Sequence, residues 1–405
     1  MGAYSRFLRV VMGGAAAVAL SWGAASAQEL KIALIAGKTG PLEAYAKQTE
    51  AGFMMGLEYL TKGSMELNGR KIRVIVKDDQ LKPDLAKSLL EQAYGDDKVD
   101  IAVGTTSSAA ALAALSVAEE YKKVLLVEPA VADSITGDKW NRYIFRTGRN
   151  SSQDGVAAAV ALSKEPMQIA TLAQDYAFGR DGVKAMKDAL EAVKSPSKVV
   201  FEEYAPQNTT DFTASAQRLF DALKDKPGRK VIVIIWAGPH PLTKIADLKP
   251  ERFNIEIAPG GNILPAMVPY KAYPGMEGAI YYYWGFPKNP MNDWLVAEHQ
   301  KRFSMPPDFF TAGGMAAASA VLAAITKAGG SDTEKLIAAM EGMSFDTPKG
   351  KMTFRKEDHQ AMQSMYHFKI KVDPAFAWGV PELVHEIKAS EMDVPIRNKI
   401  GRAHV

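Results

Sequence analysis

Side chains that could carry out catalysis or bind a metal are few and scattered in this chain of 405 residues. Cysteine is absent, which excludes disulfides, thiolate ligands, cysteine nucleophiles and a lipidated N-terminal cysteine. No P-loop, dinucleotide-binding, zinc-protease, serine-hydrolase or EF-hand signature occurs. No two of the six histidines have the spacing of metal ligands; they are His240, His299, His359, His367, His385 and His404. The sequence therefore predicts a protein that is not an enzyme and holds no metal and no cofactor.

Two carboxylates at predicted strand ends, Glu128 and Asp175, are the candidates for a general base. A carboxylate in that position more often caps the following helix, because its oxygens accept hydrogen bonds from the free N–H groups of the first turn. We favour the capping interpretation for both.

A hydroxyl-rich helix start is the most informative polar feature. The stretch AVGTTSSAAALAAL, residues 102–115, leads from an apolar strand into an alanine-rich helix. The free N–H groups of such a helix end, with the hydroxyls of Ser107 and Ser108, suit a carboxylate that binds and leaves unchanged. Plain N-capping is the alternative for either serine alone.

Strands and helices alternate along the chain from residue 30. Short apolar runs separated by segments of helical length are typical of parallel sheets buried on both faces. The runs are 31–36, 71–77, 100–103, 123–127, 168–173, 198–204, 230–236, 254–258 and 279–284. This number of strands exceeds one comfortable core. The pattern predicts an α/β protein of two lobes, with the break in the polar stretch from Phe145 to Ser152.

Loops at the carboxyl ends of these strands supply further candidates, since open α/β sheets bind ligands there. Aromatic residues in or beside these loops could enclose an apolar ligand; they are Tyr45, Tyr176, Phe178, Trp236 and Tyr283. His240, which lies between two prolines, could reach a polar group of the ligand. The alternatives are a simple turn for His240 and strand core for Tyr283.

The N-terminus has the pattern of a secretory signal. Arg6 and Arg9 precede an apolar run from Val10 to Leu20, and Ala25-Ser26-Ala27 offers a cleavage position. The run is short and is broken by glycine, so a membrane anchor is the weaker alternative. We expect residues 1–27 to be removed on export and no later segment to span a bilayer.

Composition excludes a further class of partner. The chain is 47% hydrophobic and 23% charged, as soluble globular proteins are. Its formal net charge is only +3, which gives a nucleic-acid surface no support. We therefore expect a small-molecule partner and no nucleic acid.

The order of these segments resembles that of the periplasmic solute-binding proteins of ABC importers. The resemblance is carried by KIALIAGKTGPLEAYAKQTEAGFMMGLEYL, IRVIVKDDQLKPDLA, DIAVGTTSSAAALAALSVAEEYKKVLLVEPAVADSITG, IFRT and QDYAFGRDG. These segments are most similar to the branched-chain amino-acid-binding (Leu/Ile/Val) family, and QDYAFGRD looks like its aromatic-acid-binding members. The resemblance implies the type I periplasmic binding protein fold, in which two Rossmann-like lobes joined by a three-crossover hinge close on a small solute without cofactor or chemistry.

The resemblance also implies an organisation and a location. The first lobe would comprise residues 28–148 and 286–354, and the second 149–285 and 355–405. The protein would be a periplasmic monomer, not lipid-anchored, and an ABC permease of the inner membrane would be its partner.

The resemblance implies which residues of this chain correspond to the ligand contacts of the family's first lobe. A serine at the helix start holds the ligand carboxylate in the family, which matches Ser107 or Ser108 here. A second contact comes from the segment after Pro129, where the family's hydroxyl is missing at Ala132. The backbone N–H groups of that segment, at Ala130 and Ala132, could serve instead.

The second-lobe side of the family's pocket bears on the ligand class. Its aromatic residue corresponds to Phe178. Amino-acid binders place an acidic residue after the strand that here ends at Ala258, whereas this chain has Gly261 and Asn262 in that loop. A buried ammonium without a partner is costly. The departure predicts an aromatic carboxylate without an amine, of the benzoate or hydroxycinnamate type.

Three other functions stay open at this point. A branched-chain or aromatic amino-acid binder would need Glu128, Asp133 or Asp175 to face the ligand amine. A periplasmic sensor subunit would use the same cleft but present its lobes to a receptor. An exported hydrolase on this scaffold is the least favoured.

Overall fold

The computed structural model describes residues 29–398, so the predicted signal at residues 1–27 lies outside the described chain. The first lobe is built on a six-stranded sheet of order β2-β3-β1-β4-β5-β6. Its strands are β1 (Leu30–Ala36), β2 (Glu66–Leu67), β3 (Arg70–Asp78), β4 (Ile101–Gly104), β5 (Leu125–Val127) and β6 (Ile144–Arg146). Apart from β2, which is antiparallel to β3, neighbouring strands are parallel, as the continuous apolar runs predict.

Helices follow the strands of this first sheet, as crossover connections between parallel strands require. They are α1 (Glu43–Leu60), α2 (Pro83–Gly95) and α3 (Ser108–Tyr121). Three central strands, β1, β4 and β5, are almost wholly buried, so one apolar core lies on both faces of the sheet.

The second lobe contains a four-stranded parallel sheet of order β10-β9-β7-β8. Its elements are α4 (Ser151–Leu162), β7 (Met167–Gln174), α5 (Ala177–Ala192), β8 (Lys198–Ala205), α6 (Thr213–Leu223), β9 (Arg229–Ile235), α7 (Leu242–Ala246) and β10 (Ile255–Ala258). A separate strand, β11 (Glu277–Ile280), leads out of this lobe. Its pairing ends at Ile280, so the predicted strand at 279–284 is wrong beyond that residue.

The chain then returns to the first lobe and crosses once more. The elements of the return are α8 (Pro290–Phe303), α9 (Phe309–Ala328), α10 (Thr333–Met340), β12 (Ser344–Thr347), β13 (Gly350–Phe354), β14 (Ala361–Met362), β15 (Met365–Lys371) and β16 (Val380–Ile387). Because β14 pairs with β13 while β15 pairs with β11, the third crossing lies between β14 and β15. The predicted boundary after residue 354 precedes it, and the lobe boundaries otherwise stay predictions.

The crossings are joined by buried polar contacts. The guanidinium of Arg146, at the first crossing, donates through Nε to Oε1 of Gln360 at 2.6 Å and through Nη1 to the carbonyl of Ala132 at 2.7 Å. The amide of Gln360, near the third crossing, donates to the carbonyl of Gly148 at 2.8 Å. The two connections therefore form one hydrogen-bonded unit between the lobes.

The long helix α9 corrects one expectation. It is apolar and long enough, at 20 residues, to meet the criteria for a membrane span, although we expected no such segment after the signal. In the fold 16 of its 20 residues are buried. It packs so closely on α1 that a Cβ on Gly52 would lie 1.8 Å from the carbonyl oxygen of Thr311. The apolar composition therefore serves the core of the first lobe.

A buried carboxylate at the end of β3 gives a first prediction. Asp79 is fully buried, its Oδ2 atom has no hydrogen-bond partner in residues 29–398, and burial raises its pKa to about 6. The folded protein therefore binds a proton that the unfolded chain lacks between about pH 4 and 6, and the free energy of unfolding falls as the pH rises through this window. Asp79→Asn should raise that free energy by up to about 3 kcal/mol at pH 7.5, since the pKa is raised by about two units and one unit is worth about 1.4 kcal/mol.

Urea unfolding at pH 4.5 and 7.5 would measure this effect. The neighbouring Asp78 is the matched control, because hydrogen bonds from Thr39, Gln80 and Lys38 outweigh burial and lower its pKa. Asp78→Asn should destabilise the protein at pH 7.5. An Asp79→Asn variant less stable than the wild type at pH 7.5 would contradict the prediction.

Candidate ligand-binding site

Two adjacent cavities lie at the carboxyl ends of the strands. The outer cavity, of about 50 Å³, is bounded by both lobes, and the inner cavity, of about 140 Å³, extends into the second lobe. They share five wall residues, which are Arg149, Phe178, Trp236, Gly261 and Phe309. The shared walls make the two cavities parts of one site.

The first-lobe wall of the outer cavity is the predicted helix start. β4 ends at Gly104, whose φ of 143° and close approach to Ile35 exclude a side chain, and the chain then enters α3. The side chain of Ser107 caps α3 by accepting from the backbone N–H of Ala109 at 3.3 Å. Ser108 faces the cavity instead, so only the second serine of the pair is placed to contact a ligand.

Hydrogen bonds hold the Ser108 hydroxyl in place. Its oxygen accepts from the backbone N–H groups of Val131 at 3.2 Å and Ala132 at 3.1 Å. These bonds use the oxygen's two acceptor positions and leave its hydrogen for a ligand. They also occupy the Ala132 N–H group that we expected to contact the ligand directly.

Tyr45 and Asn262 join the lobes across the outer cavity. The Tyr45 hydroxyl accepts from the backbone N–H of Gly238 at 2.9 Å and lies 3.4 Å from Oδ1 of Asn262. The same Oδ1 accepts from the N–H of Ile263 at 2.8 Å, while the amide nitrogen of Asn262 has no partner among the residues the structure describes. These contacts between α1 and the second lobe show a closed arrangement.

Five further wall residues of the outer cavity are aromatic. Tyr176 and Phe178 lie at the start of α5 with their ring centres 5.9 Å apart, and Trp236 follows β9. From the first lobe come Phe309 and Phe310 at the start of α9. Such walls favour a flat apolar ligand body.

Arg149 lies where the two cavities meet. Its Nε atom donates to Oδ1 of Asp154 at 2.8 Å, and its guanidinium carbon lies 4.8 Å from the ring centre of Tyr281 and 5.0 Å from that of Phe309. Burial opposes its charge, but Asp154 and other neighbours outweigh burial and raise its pKa. Its two terminal nitrogens donate to no residue between 29 and 398, so a set of N–H donors is open to the cavity.

The acidic residues named for an amino-acid ligand lie elsewhere. Glu128 is buried and accepts from the Thr147 hydroxyl at 2.9 Å; burial raises its pKa, and the positive charge of Lys349 partly offsets this rise. Asp133 forms an ion pair with Arg397 at 3.0 Å, and Asp175 pairs with Arg180 on the surface. None of the three lines either cavity. The one carboxylate that does so in the described chain is Asp154, in the inner cavity.

Seven of the twelve predicted site residues line the outer cavity: Tyr45, Ser108, Tyr176, Phe178, Trp236, Gly261 and Asn262. Ser107, Ala130 and Ala132 lie behind this surface. His240 is outside it, because its Nδ1 accepts from the N–H of Leu242 at 3.2 Å and its ring lies near Tyr270. Tyr283 is also outside, packed on Trp284 and Phe286, because strand β11 has ended before it.

Sequence reasoning missed Arg149, Phe309 and Phe310. A signal for Arg149 existed: it directly precedes Asn150, the N-cap of α4, in a stretch that we treated only as the lobe break. The aromatic pair likewise follows an N-cap, Asp308. A search for large or charged residues beside every helix start would have included all three.

Comparison with known proteins agrees with this architecture. Residues 29–375 match the sequence model of a protein family whose description is periplasmic binding protein. A crystal structure of an ABC-type branched-chain amino acid transporter from Rhodopseudomonas palustris is 70% identical, covers 92% of this chain and all of that one, and superposes with a TM-score of 0.81.

Two more distant relatives differ in their ligands. The leucine-, isoleucine-, valine-, threonine- and alanine-binding protein of Pseudomonas aeruginosa is 26% identical over 336 residues, which are 81% of this chain and 86% of that protein. An ABC-transporter solute-binding protein of Rhodopseudomonas palustris, solved with 3,4-dihydroxybenzoic acid, is 27% identical over 91% of this chain and 99% of that one, with a TM-score of 0.79. The chain belongs to the periplasmic binding protein family and is a solute-binding component of an ABC transporter.

Proposed function

We propose that this protein captures a small aromatic carboxylate, of the benzoate or hydroxycinnamate type, between its lobes for import. The observation that carries the proposal is the open edge of Arg149 within an aromatic site. A guanidinium presents parallel N–H groups that match the two oxygens of a carboxylate. Among residues 29–398, no acidic side chain lines the outer cavity to receive an ammonium group.

The other polar groups of the outer cavity fit the same ligand. The Ser108 hydroxyl and the Asn262 amide nitrogen, on opposite lobes, are donors without an acceptor in the described part of the chain. A carboxylate between them and Arg149 would contact both lobes only when they are closed. Binding would therefore shift the population towards the closed form, which is the form the permease would recognise.

A thermal-shift screen of the purified mature protein tests the proposal. Ligand at 100 times its dissociation constant stabilises a protein by about 2.7 kcal/mol, so a melting-temperature increase of several degrees is expected with cinnamate or benzoate. Leucine and valine should produce a smaller shift. A clear shift with leucine and none with aromatic acids would contradict the proposal.

A branched-chain or aromatic amino acid is the second candidate, and one observation favours it. Asp154 lines the inner cavity with a carboxylate oxygen beyond the one that accepts from Arg149. An α-ammonium group could bind there, and the relative from Pseudomonas aeruginosa is named for amino-acid binding. Asp154→Asn in the same screen separates the candidates, because it should abolish an amino-acid shift and leave an aromatic-acid shift in place.

A further inference from the structure

We infer that the two cavities hold different parts of one ligand, with its ring in the inner cavity and its carboxylate in the outer one. The ligand would then be an acid whose carboxylate is separated from the ring by a short carbon chain, as in 3-phenylpropanoate or cinnamate. The inference rests on the proposed function and narrows its ligand class to acids with such a chain.

The inner cavity has the size of a site for one ring, and its deepest part has apolar walls, whereas Arg149, Ser151 and Asp154 line its polar side. At about 140 Å³ it is close to the cavity of about 150 Å³ that admits benzene in an apolar protein core. Its inner part is lined by Ala158 of α4, Met186 of α5 and Ile235 of β9, none of which reaches the outer cavity. Phe178 and Tyr281 add aromatic surface.

The outer cavity differs from the inner one in size and in which polar side chains line it. At about 50 Å³ it is too small for a ring by the same measure, but it has room for a carboxylate. Its polar wall residues include Ser108 and Asn262, which do not line the inner cavity. Arg149 borders both cavities, so a carboxylate beside it stays next to the ring site.

This division sets the spacing within the ligand. In benzoate the carboxylate is attached directly to the ring, so a ring seated between Ala158 and Met186 holds the acid group back at the junction. Two intervening carbons carry the acid group into the outer cavity, where Ser108 can donate to it. The ligand that satisfies both cavities is therefore the longer acid.

Titration calorimetry with benzoate, phenylacetate, 3-phenylpropanoate and cinnamate tests the spacing. Cinnamate and 3-phenylpropanoate should bind about tenfold more tightly than benzoate, because two more carbons are buried and the contact to Ser108 is made. Benzoate binding as tightly as cinnamate would overturn the inference and leave the proposed function standing. Failure of all four acids to bind would overturn both.

A substitution in the inner cavity tests where the ring lies. Ala158→Leu places three more carbons there, and Val160→Leu, on the exposed face of the same helix, is the matched control. Ala158→Leu should weaken cinnamate binding at least tenfold while the melting temperature of the ligand-free protein stays at or above that of the wild type, because the added carbons fill empty space beside Met186 and Ile235. Ala158→Val is the smaller replacement if the leucine variant does not fold. Unchanged cinnamate affinity in a folded Ala158 variant would overturn the inference.

Discussion

Replacing Arg149 with glutamine is expected to weaken the binding of aromatic carboxylates by about 10- to 100-fold, because a hydrogen bond to a charged group is worth roughly 1.5–3 kcal/mol. The open guanidinium edge is the one cationic group that lines either cavity in the described chain. Arg149→Lys should recover only part of the affinity, since a lysine ammonium cannot donate two parallel N–H groups to one carboxylate. Calorimetric titration with cinnamate measures both variants.

The Arg149 experiment needs controls for folding and for charge. Arg252→Gln removes an exposed arginine of the same lobe and should leave affinity unchanged. Asp154 loses its partner in Arg149→Gln, so the double variant with Asp154→Asn removes the remaining charge. If the double variant binds cinnamate as tightly as the wild type, Arg149 does not contact the carboxylate.

Replacing Lys349 with methionine should lower the free energy of unfolding by about 1.5–3 kcal/mol, because the charged hydrogen bond to Gln363 is lost and buried Glu128 loses one of its three nearby cations. Lys349 is 5% exposed, donates to the amide oxygen of Gln363, and its ammonium lies 4.4 Å from the ring centre of Tyr281. Burial raises the pKa of Glu128, and the charge of Lys349 opposes that rise. A loss of this size is a large fraction of the 5–15 kcal/mol that stabilises a typical domain.

The pH dependence of the Lys349 variant has a definite sign. Without Lys349 the pKa of Glu128 rises further. Lowering the pH from 8 to 5 then protonates the buried carboxylate, so the difference in unfolding free energy between the variant and the wild type should become smaller. Adding Glu128→Gln should restore much of the loss, and Lys351→Met, at an exposed position of β13, should cost little. Urea unfolding measures all four proteins; equal losses for Lys349→Met and Lys351→Met would contradict the prediction.

The Glu128 variants also bear on the ligand class. Glu128 packs against Gly313, where a Cβ would lie 2.3 Å from its Oε1 atom, and it lines neither cavity. In the Glu128→Gln and Lys349→Met double variant, ligand preference should therefore match that of the wild type. An amino-acid shift that disappeared only in this variant would place the ligand amine at Glu128.

Much of the fold could be predicted because its signals are local. Runs such as 230–236 and 168–173 are apolar on both faces, and parallel strands between helices require that composition. The AVGTTSSAAALAAL stretch combines a strand end and a helix start, so the position of Ser108 followed from chain order alone. The strand predicted at 279–284 was wrong beyond Ile280, because the apolar pattern continues to Tyr283 although the pairing of β11 with β15 ends at Ile280.

By itself, the sequence determined the α/β alternation, the two-lobe family architecture and the strand-end loops that carry the site, because each depends on residues close together in the chain. Only the tertiary structure shows which arginine of the polar stretch, Arg146 or Arg149, lines the cavities. Arg146 is hydrogen bonded at the crossings, whereas the outer edge of Arg149 faces the cavities. The helix starts of α3, α4, α5 and α9 converge there from distant parts of the chain. The size of each cavity depends on that convergence, which no local pattern specifies.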